Sequence, residues 1–275
     1  MRMNTGKFSL ILLLVLTLVI SAASVTQEGP PEEVRGAVIT VSGMIDDGLY
    51  QSIKRRSREA LDSGAEYLIF EISTYGGLVK SADDISKYLI LELSDRVHTA
   101  AYIKTEAISA GAMISVSCED IIMLKNTTIG NAAPIMPGGK LEGVEREKQE
   151  SFVRSAFKRA AEANNYPVPL LEAMVTQQIE VYRISNIQKG ESEFFTAEEI
   201  PEDNGKYDLD GKELVVNDEQ LLTLTSSRAV EYGVARAEVN DFDGALDYLS
   251  GRYGVKFDSD IPVLEPNWSE QMVRW

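Results

Sequence analysis

Two hydrophobic rhythms alternate along the chain from residue 36 to about 165. Short apolar runs at 37–41, 67–72, 99–103 and 121–124 are β-branched or nearly continuous, the signature of strands covered on both faces. Between them, apolar residues fall at helical spacing: Tyr50, Ile53, Ala60 and Leu61, then Ala82, Ile85, Tyr88, Leu89 and Leu93. Asp46 or Asp47 is placed to cap the first of these helices, and Ser63-Gly64 to end it. A third helix is predicted from the residue after Ser109 to about Cys118. The repeated strand-then-helix order predicts an α/β fold with largely parallel pairing and helices covering the sheet. After Thr128-Ile129-Gly130-Asn131, a Gly/Pro-rich loop at 134–139 precedes an amphipathic helix over about 145–163, with Phe152, Ala156, Phe157 and Ala160 on one face.

Beyond Tyr166 the pattern weakens. Residues 185–220 read as an insertion, with strand-like pieces Phe194-Phe195-Thr196 and Leu214-Val215-Val216 among acidic turns. Residues 222–230 predict a strand entering a capped helix that ends at Tyr232-Gly233, and 242–249 a further helix. At the other end, Arg2 and Lys7 precede an apolar run at 8–20 and the small residues Ser21-Ala22-Ala23-Ser24. The run is shorter than the roughly 20 residues of a spanning helix, so 1–23 is expected to be a cleaved signal peptide, with an uncleaved anchor as the alternative. Either places the rest outside the cytoplasm. The expected organisation is a linker at 24–35, one large domain at 36–250 and a tail at 251–275 with Trp268 and Trp275 at an interfacial helix.

Charge and cysteine usage narrow the chemistry. With 27 basic and 43 acidic residues, the net charge of −16 argues against a nucleic-acid surface. The lone cysteine, Cys118, excludes an intrachain disulfide and multi-cysteine metal sites, and its apolar neighbours make it a core residue. No metal or cofactor is called for.

The chemistry concentrates at Ala107-Ile108-Ser109-Ala110-Gly111 and at Tyr75-Gly76-Gly77, each directly after a predicted strand. A serine on a tight strand-to-helix turn exposes its hydroxyl while the next N–H points the same way. A Gly-Gly turn lets a second backbone approach a substrate without a Cβ in between. The same serine could instead be a plain helix N-cap. A nucleophilic serine needs a base, and the only histidine, His98, stands eleven residues before Ser109 at the far end of its strand, so a Ser-His-Asp triad is not expected. A lysine can serve if burial lowers its pKa by about three units from near 10.4, roughly 4 kcal/mol. Lys125, Lys140, Lys148 and Lys158 follow the serine. Spacing favours Lys148 only slightly, through Phe152 one turn along the same helix face.

Tyr75-Gly76-Gly77, Ile108-Ser109-Ala110-Gly111 and Gly130-Asn131-Ala132-Ala133-Pro134-Ile135, together with 41–49 and 224–234, resemble the landmarks of Clp-protease/crotonase-fold serine peptidases. The resemblance is to their NfeD-like, membrane-associated branch related to signal peptide peptidase A, and covers about 36–184 and 220–240. It implies a repeated ββα superhelix with a mostly parallel sheet and a Ser-Lys dyad. Carried onto this sequence, Ser109 is the nucleophile, Lys148 the general base, Gly77 N–H and Ala110 N–H the oxyanion hole, and Gly76 and Pro134 line the substrate. It also implies a homo-oligomer and, as substrate and partner, an apolar segment of a stomatin-like membrane protein.

The charged neighbourhood of Lys148 departs from that pattern, because Glu145, Glu147 and Glu150 would hold a lysine protonated. This motivates an alternative, a catalytically silent scaffold of the same fold that binds a membrane partner. A third reading, an acyl-CoA enzyme, conflicts with an export signal.

Overall fold

The computed structural model describes residues 31–135, 142–202, 205–268 and 270; the expected signal segment and most of the expected linker lie outside them. A short strand β1 (Glu32–Val34) leads into β2 (Gly36–Ile45), α1 (Asp47–Asp62), β3 (Tyr67–Gly77) and α2 (Val79–Lys87), which runs on as a π-helical turn (Tyr88–Leu93). Next come β4 (His98–Ile108), α3 (Ala110–Val116), β5 (Asp120–Leu124), β6 (Thr128–Gly130), α4 (Gly143–Asn164) and α5 (Val168–Ala173). Strands β7 (Val181–Asn186), β8 (Glu191–Thr196), β9 (Glu213–Val216) and β10 (Thr223–Thr225) follow. The chain then forms α6 (Ser226–Glu231), β11 (Ala237–Val239), α7 (Phe242–Tyr253), β12 (Val255–Phe257) and β13 (Val263–Leu264).

The main sheet runs β10-β6-β4-β3-β2-β13, and β4 forks: its first half pairs with β5, its second half with β6. Every pairing in it is parallel except β10 with β6. Alternation along each strand divides the core in two. Ile39, Val41, Leu68, Phe70, Ile72, Ala101 and Ile103 face the larger core under α1 to α4. Val38, Tyr67, Ile69, Ala100, Tyr102 and Ile122 face a smaller one closed by Ala245 and Leu249 of α7 and by Phe257. The strands therefore lack a polar face, which is why they read as continuous apolar runs.

Asp46 caps α1, accepting from Leu49 N–H at 2.8 Å. Thr225 caps α6. Cys118 is fully buried, as its surroundings predicted. The insertion expected at 185–220 forms the separate antiparallel sheet β8-β7-β9, which starts four residues earlier, at Val181. One face assignment fails. The buried stripe of α4 is Val153, Ala156, Phe157, Ala160 and Ala161, while Phe152 is exposed, because the helix is rotated to bring Val153 and Phe157 inward together. The segment expected as a tail adds strands to the body, β12 against β1 and β13 against β2.

Candidate active site

Three strand ends converge at the C-terminal edge of the sheet. β2 and β3 stay in register through Ser42 and Ser73, shift by one residue around Gly43, and resume with Met44 beside Gly76 and Ile45 beside Gly77. β3 and β4 also shift, so that Thr74 comes to stand beside Ala107. Such bulges bend strand ends and re-aim what they carry. Here they carry the Gly-Gly turn and the serine.

Ser109 occupies the joint between β4 and α3 at φ 56°, ψ −116°, a conformation that L-residues avoid. Its N–H donates to Gly130 O at 3.0 Å, and its carbonyl accepts from Met113 N–H at 3.2 Å, opening the helix. Its hydroxyl gives α3 no side-chain cap, so the N-cap role that a serine could fill is not the one this residue takes. Strain of this kind costs about 1–3 kcal/mol and persists where surrounding structure enforces it. Ala110 is the first residue of α3, so its N–H lies among those a helix leaves without an intrahelical partner.

Gly76 lies directly against the serine. With φ at 120°, its backbone is in territory reserved for glycine, and a Cβ placed there would sit 2.7 Å from Ser109 Cβ and 3.1 Å from Ser109 Oγ. At Gly77 a Cβ would collide with the Ile45 backbone, and the next residue, Leu78, donates its N–H to Ile45 O at 2.7 Å. The two glycines thus have separate tasks, one clearing the serine and the other allowing β2 to close in. The fold brings Gly76, Gly77, Ser109 and Ala110 together at one strand edge, although they are more than thirty residues apart in sequence.

Lys148 is placed differently. It is exposed on α4 and lines a shallow groove of about 530 Å³ with Gly143, Val144, Glu147 and Ser151. Among the described residues no hydrogen bond joins it to Ser109. Pro134, half-buried, precedes the stretch 136–141 that lies outside the described residues. The carboxylates expected to crowd Lys148 are largely engaged elsewhere. Glu150 is turned inward, only 4% exposed, and accepts from Arg146 Nε at 2.5 Å and from Thr176 Oγ1 at 3.0 Å. Arg154 donates to Thr176 Oγ1 at 2.6 Å and to Glu147 at 2.7 Å. Two arginines therefore neutralise two of the three glutamates. The i, i+4 spacing of Arg146, Glu150 and Arg154 was the sequence signal for this ladder; that Glu150 points inward was not legible.

His98 lies at the opposite end of β4, eleven residues and about 35 Å from Ser109 at the usual rise of a strand. Its Nδ1 meets Glu119 and its Nε2 meets Asp120 at 2.9 Å. Burial disfavours its charge, but hydrogen bonds to Asp120 and Glu119 outweigh that and raise its pKa to about 9. It is a structural cation.

The family model described as "NfeD1b, N-terminal domain" matches residues 35–207. Membrane protein NfeD1b of Bacillus subtilis (strain 168) is 26% identical over 238 residues, 86% of this chain but 45% of that protein, so the chain spans less than half the length of this curated relative. Among solved structures, a lysine-to-alanine mutant of the 1510-N membrane-bound stomatin-specific protease in complex with a substrate peptide matches with a TM-score of 0.60 at 17% identity, covering 88% of this chain and 96% of that one. The 1510-N membrane protease specific for a stomatin homolog from Pyrococcus horikoshii matches with a TM-score of 0.56 at 18% identity, covering 88% and 97%. At such identities the likeness is one of fold, and the fold is the Clp-protease/crotonase-like one that the resemblance implied, with the parallel α/β order that the strand and helix pattern predicted.

Proposed function

The chain belongs to the NfeD1b N-terminal domain family, and from that premise we propose that it is a serine peptidase using Ser109 and Lys148. The observation that carries the reading is the strained Ser109 joint with Gly76 packed against it. A residue held at positive φ with its hydroxyl uncommitted to the helix is poised as a nucleophile rather than as a cap. In this reading Ser109 Oγ attacks a peptide carbonyl while Lys148 takes the hydroxyl proton. The oxyanion is received by Gly77 N–H and Ala110 N–H, each worth on the order of 10²-fold in rate. Lys148 then passes the proton to the leaving amine, and water hydrolyses the acyl-enzyme.

Lys148 must come within hydrogen-bond reach of Ser109 for this to occur, on substrate binding. Gly76 and Pro134 would flank the peptide. The likeness to stomatin-specific proteases supports a membrane-associated, apolar polypeptide as substrate and a stomatin-like partner. The NfeD1b relationship supports attachment to a membrane; placement on its extracytoplasmic side and packing of protomers into a homo-oligomer belong to the same proposal. No cofactor takes part in it.

A second reading, the silent scaffold, is favoured by one observation: the exposure of Lys148 and its lack of a hydrogen bond to Ser109. Incubation with a fluorophosphonate serine probe separates the two. Labelling of the wild type that disappears in both Ser109→Ala and Lys148→Ala is expected. Absence of labelling at every pH from 6 to 10 would favour the scaffold.

A further inference from the structure

We propose that Thr74 is a positioning residue of this site, locking the Gly-Gly turn to the serine joint; the inference rests on Ser109 being the nucleophile. Thr74 is 2% exposed and lies where the register of β3 against β4 has just shifted. Its hydroxyl serves two backbones at once. Oγ1 donates to Gly43 O, the β2 residue opposite the extra residue of β3, at 2.5 Å, and accepts from Gly76 N–H at 3.0 Å. Its methyl serves a third. A Cβ added to Gly111, in the first turn of α3, would lie 2.6 Å from Thr74 Cγ2, so the helix that Ser109 opens rests on that methyl.

These contacts decide which amide the turn can offer. Gly76 N–H is occupied by Thr74 Oγ1, which leaves the next N–H, that of Gly77, to receive an oxyanion. At the same time the hydrogen bond to Gly43 fixes the end of β2 against which Gly77 closes. Threonine meets both requirements because one carbon carries the hydroxyl and the methyl. Valine keeps the shape and loses both hydrogen bonds; serine keeps the hydrogen bonds and loses the methyl. Thr74 touches neither substrate nor Ser109 Oγ in this role, so its effect should fall on the rate of the chemical step and not on probe affinity.

The test is saturation kinetics of a fluorophosphonate probe on the wild type, Ser109→Ala, Thr74→Val and Thr74→Ser. In the measured step Ser109 Oγ attacks phosphorus, the P–O bond forms, the P–F bond breaks, and fluoride leaves while the hydroxyl proton goes to the base. For Thr74→Val the limiting rate should fall about 10- to 100-fold, with the half-saturating concentration within about 2-fold of wild type. Thr74→Ser should keep the limiting rate within about 5-fold of wild type. Wild-type kinetics in Thr74→Val, or equal losses in the two variants, would overturn the role of the hydroxyl while leaving Ser109 as nucleophile. Failure of the wild type to label would overturn both readings. If Thr74→Val does not fold, amide exchange decides: Gly76 N–H should be protected in wild type and in Thr74→Ser, and exchange at the rate of an open amide in either sinks the proposal.

Discussion

Ser109 concentrates a conflict between stability and function in one residue. Its φ of 56° is unfavourable for a side chain but free of that cost for glycine. Ser109→Gly is therefore expected to stabilise the fold by about 1 kcal/mol, read by chemical denaturation, while abolishing fluorophosphonate labelling. A loss of stability in that variant would show that the joint is not strained. His98 makes the opposite case, a residue whose chemistry lies in the fold. Its pKa is raised to about 9, so its contribution is fully present below its ordinary value near 6.5 and is lost as pH rises through about 9. Asp120 is its partner. Burial pushes that carboxyl up, but hydrogen bonds from His98 and Tyr253 and nearby positive charge more than offset it and hold it below its usual range. His98→Gln should cost on the order of 2 kcal/mol near pH 6 and much less near pH 9, measured by denaturation at both values. A pH-independent difference would remove the ion pair as the cause.

At the scale of elements, close approach outweighs propensity. β3 ends in two glycines, which weaken a strand, yet it runs on through Gly77 because the neighbouring backbones leave no room for a side chain. Gly76→Ala should lose labelling by at least about 100-fold, since the new Cβ must displace Ser109; labelling within a few-fold of wild type would show that the turn yields easily. The segment after α7 is tied down by a buried cation. Arg56, fully buried on α1, donates to Thr40 O at 2.8 Å and to Leu264 O at 3.0 Å, joining β2, α1 and β13. Arg56→Met removes donors from two part-buried carbonyls and a buried charge from its partners, and should cost about 2 kcal/mol, measured by chemical denaturation; a change below about 0.5 kcal/mol would mean that β13 detaches without consequence. Near it, Arg55 and Ser52 hold Glu270, whose carboxyl is lowered to about 2 mainly by the Arg55 hydrogen bond. That tie is present at neutral pH and is lost as pH falls through about 2.

For the molecule as a whole, the sheet separates two cores of unequal size, and only the larger is closed by helices that alternate with the strands. The smaller face, with Val38, Tyr67, Ile69, Tyr102 and Ile122, depends on α7 and Phe257, which come late in the chain. Truncation before Phe242 should therefore expose a continuous apolar face, detectable as binding of a hydrophobic dye and as aggregation; a soluble, dye-silent truncation would show that α7 is dispensable. The repeated strand-helix pattern, a cap on α1 at Asp46 or Asp47, a capped helix after the strand at 222 and the buried Cys118 were legible because each depends on neighbours within a few residues. The rotation of α4 that exposes Phe152, the inward turn of Glu150 and the placement of Lys148 were not. Each is set by what packs against one helix from distant parts of the chain, including Thr176, which lies 26 residues beyond Glu150.

The sequence by itself determined the parallel α/β order, the strand-to-helix joint at Ser109 and the glycines at 76 and 77, because periodicity and the need for missing side chains are local properties. It also argued against a histidine triad, by leaving one histidine at the wrong end of a strand. Only the tertiary structure decided that Gly76 lies against Ser109, that Thr74 ties the turn to Gly43 of β2 and to α3, and that Lys148 stands in solvent. Those facts depend on two register shifts between neighbouring strands and on the rotation of a helix. Both result from long-range packing, which no window of the sequence contains.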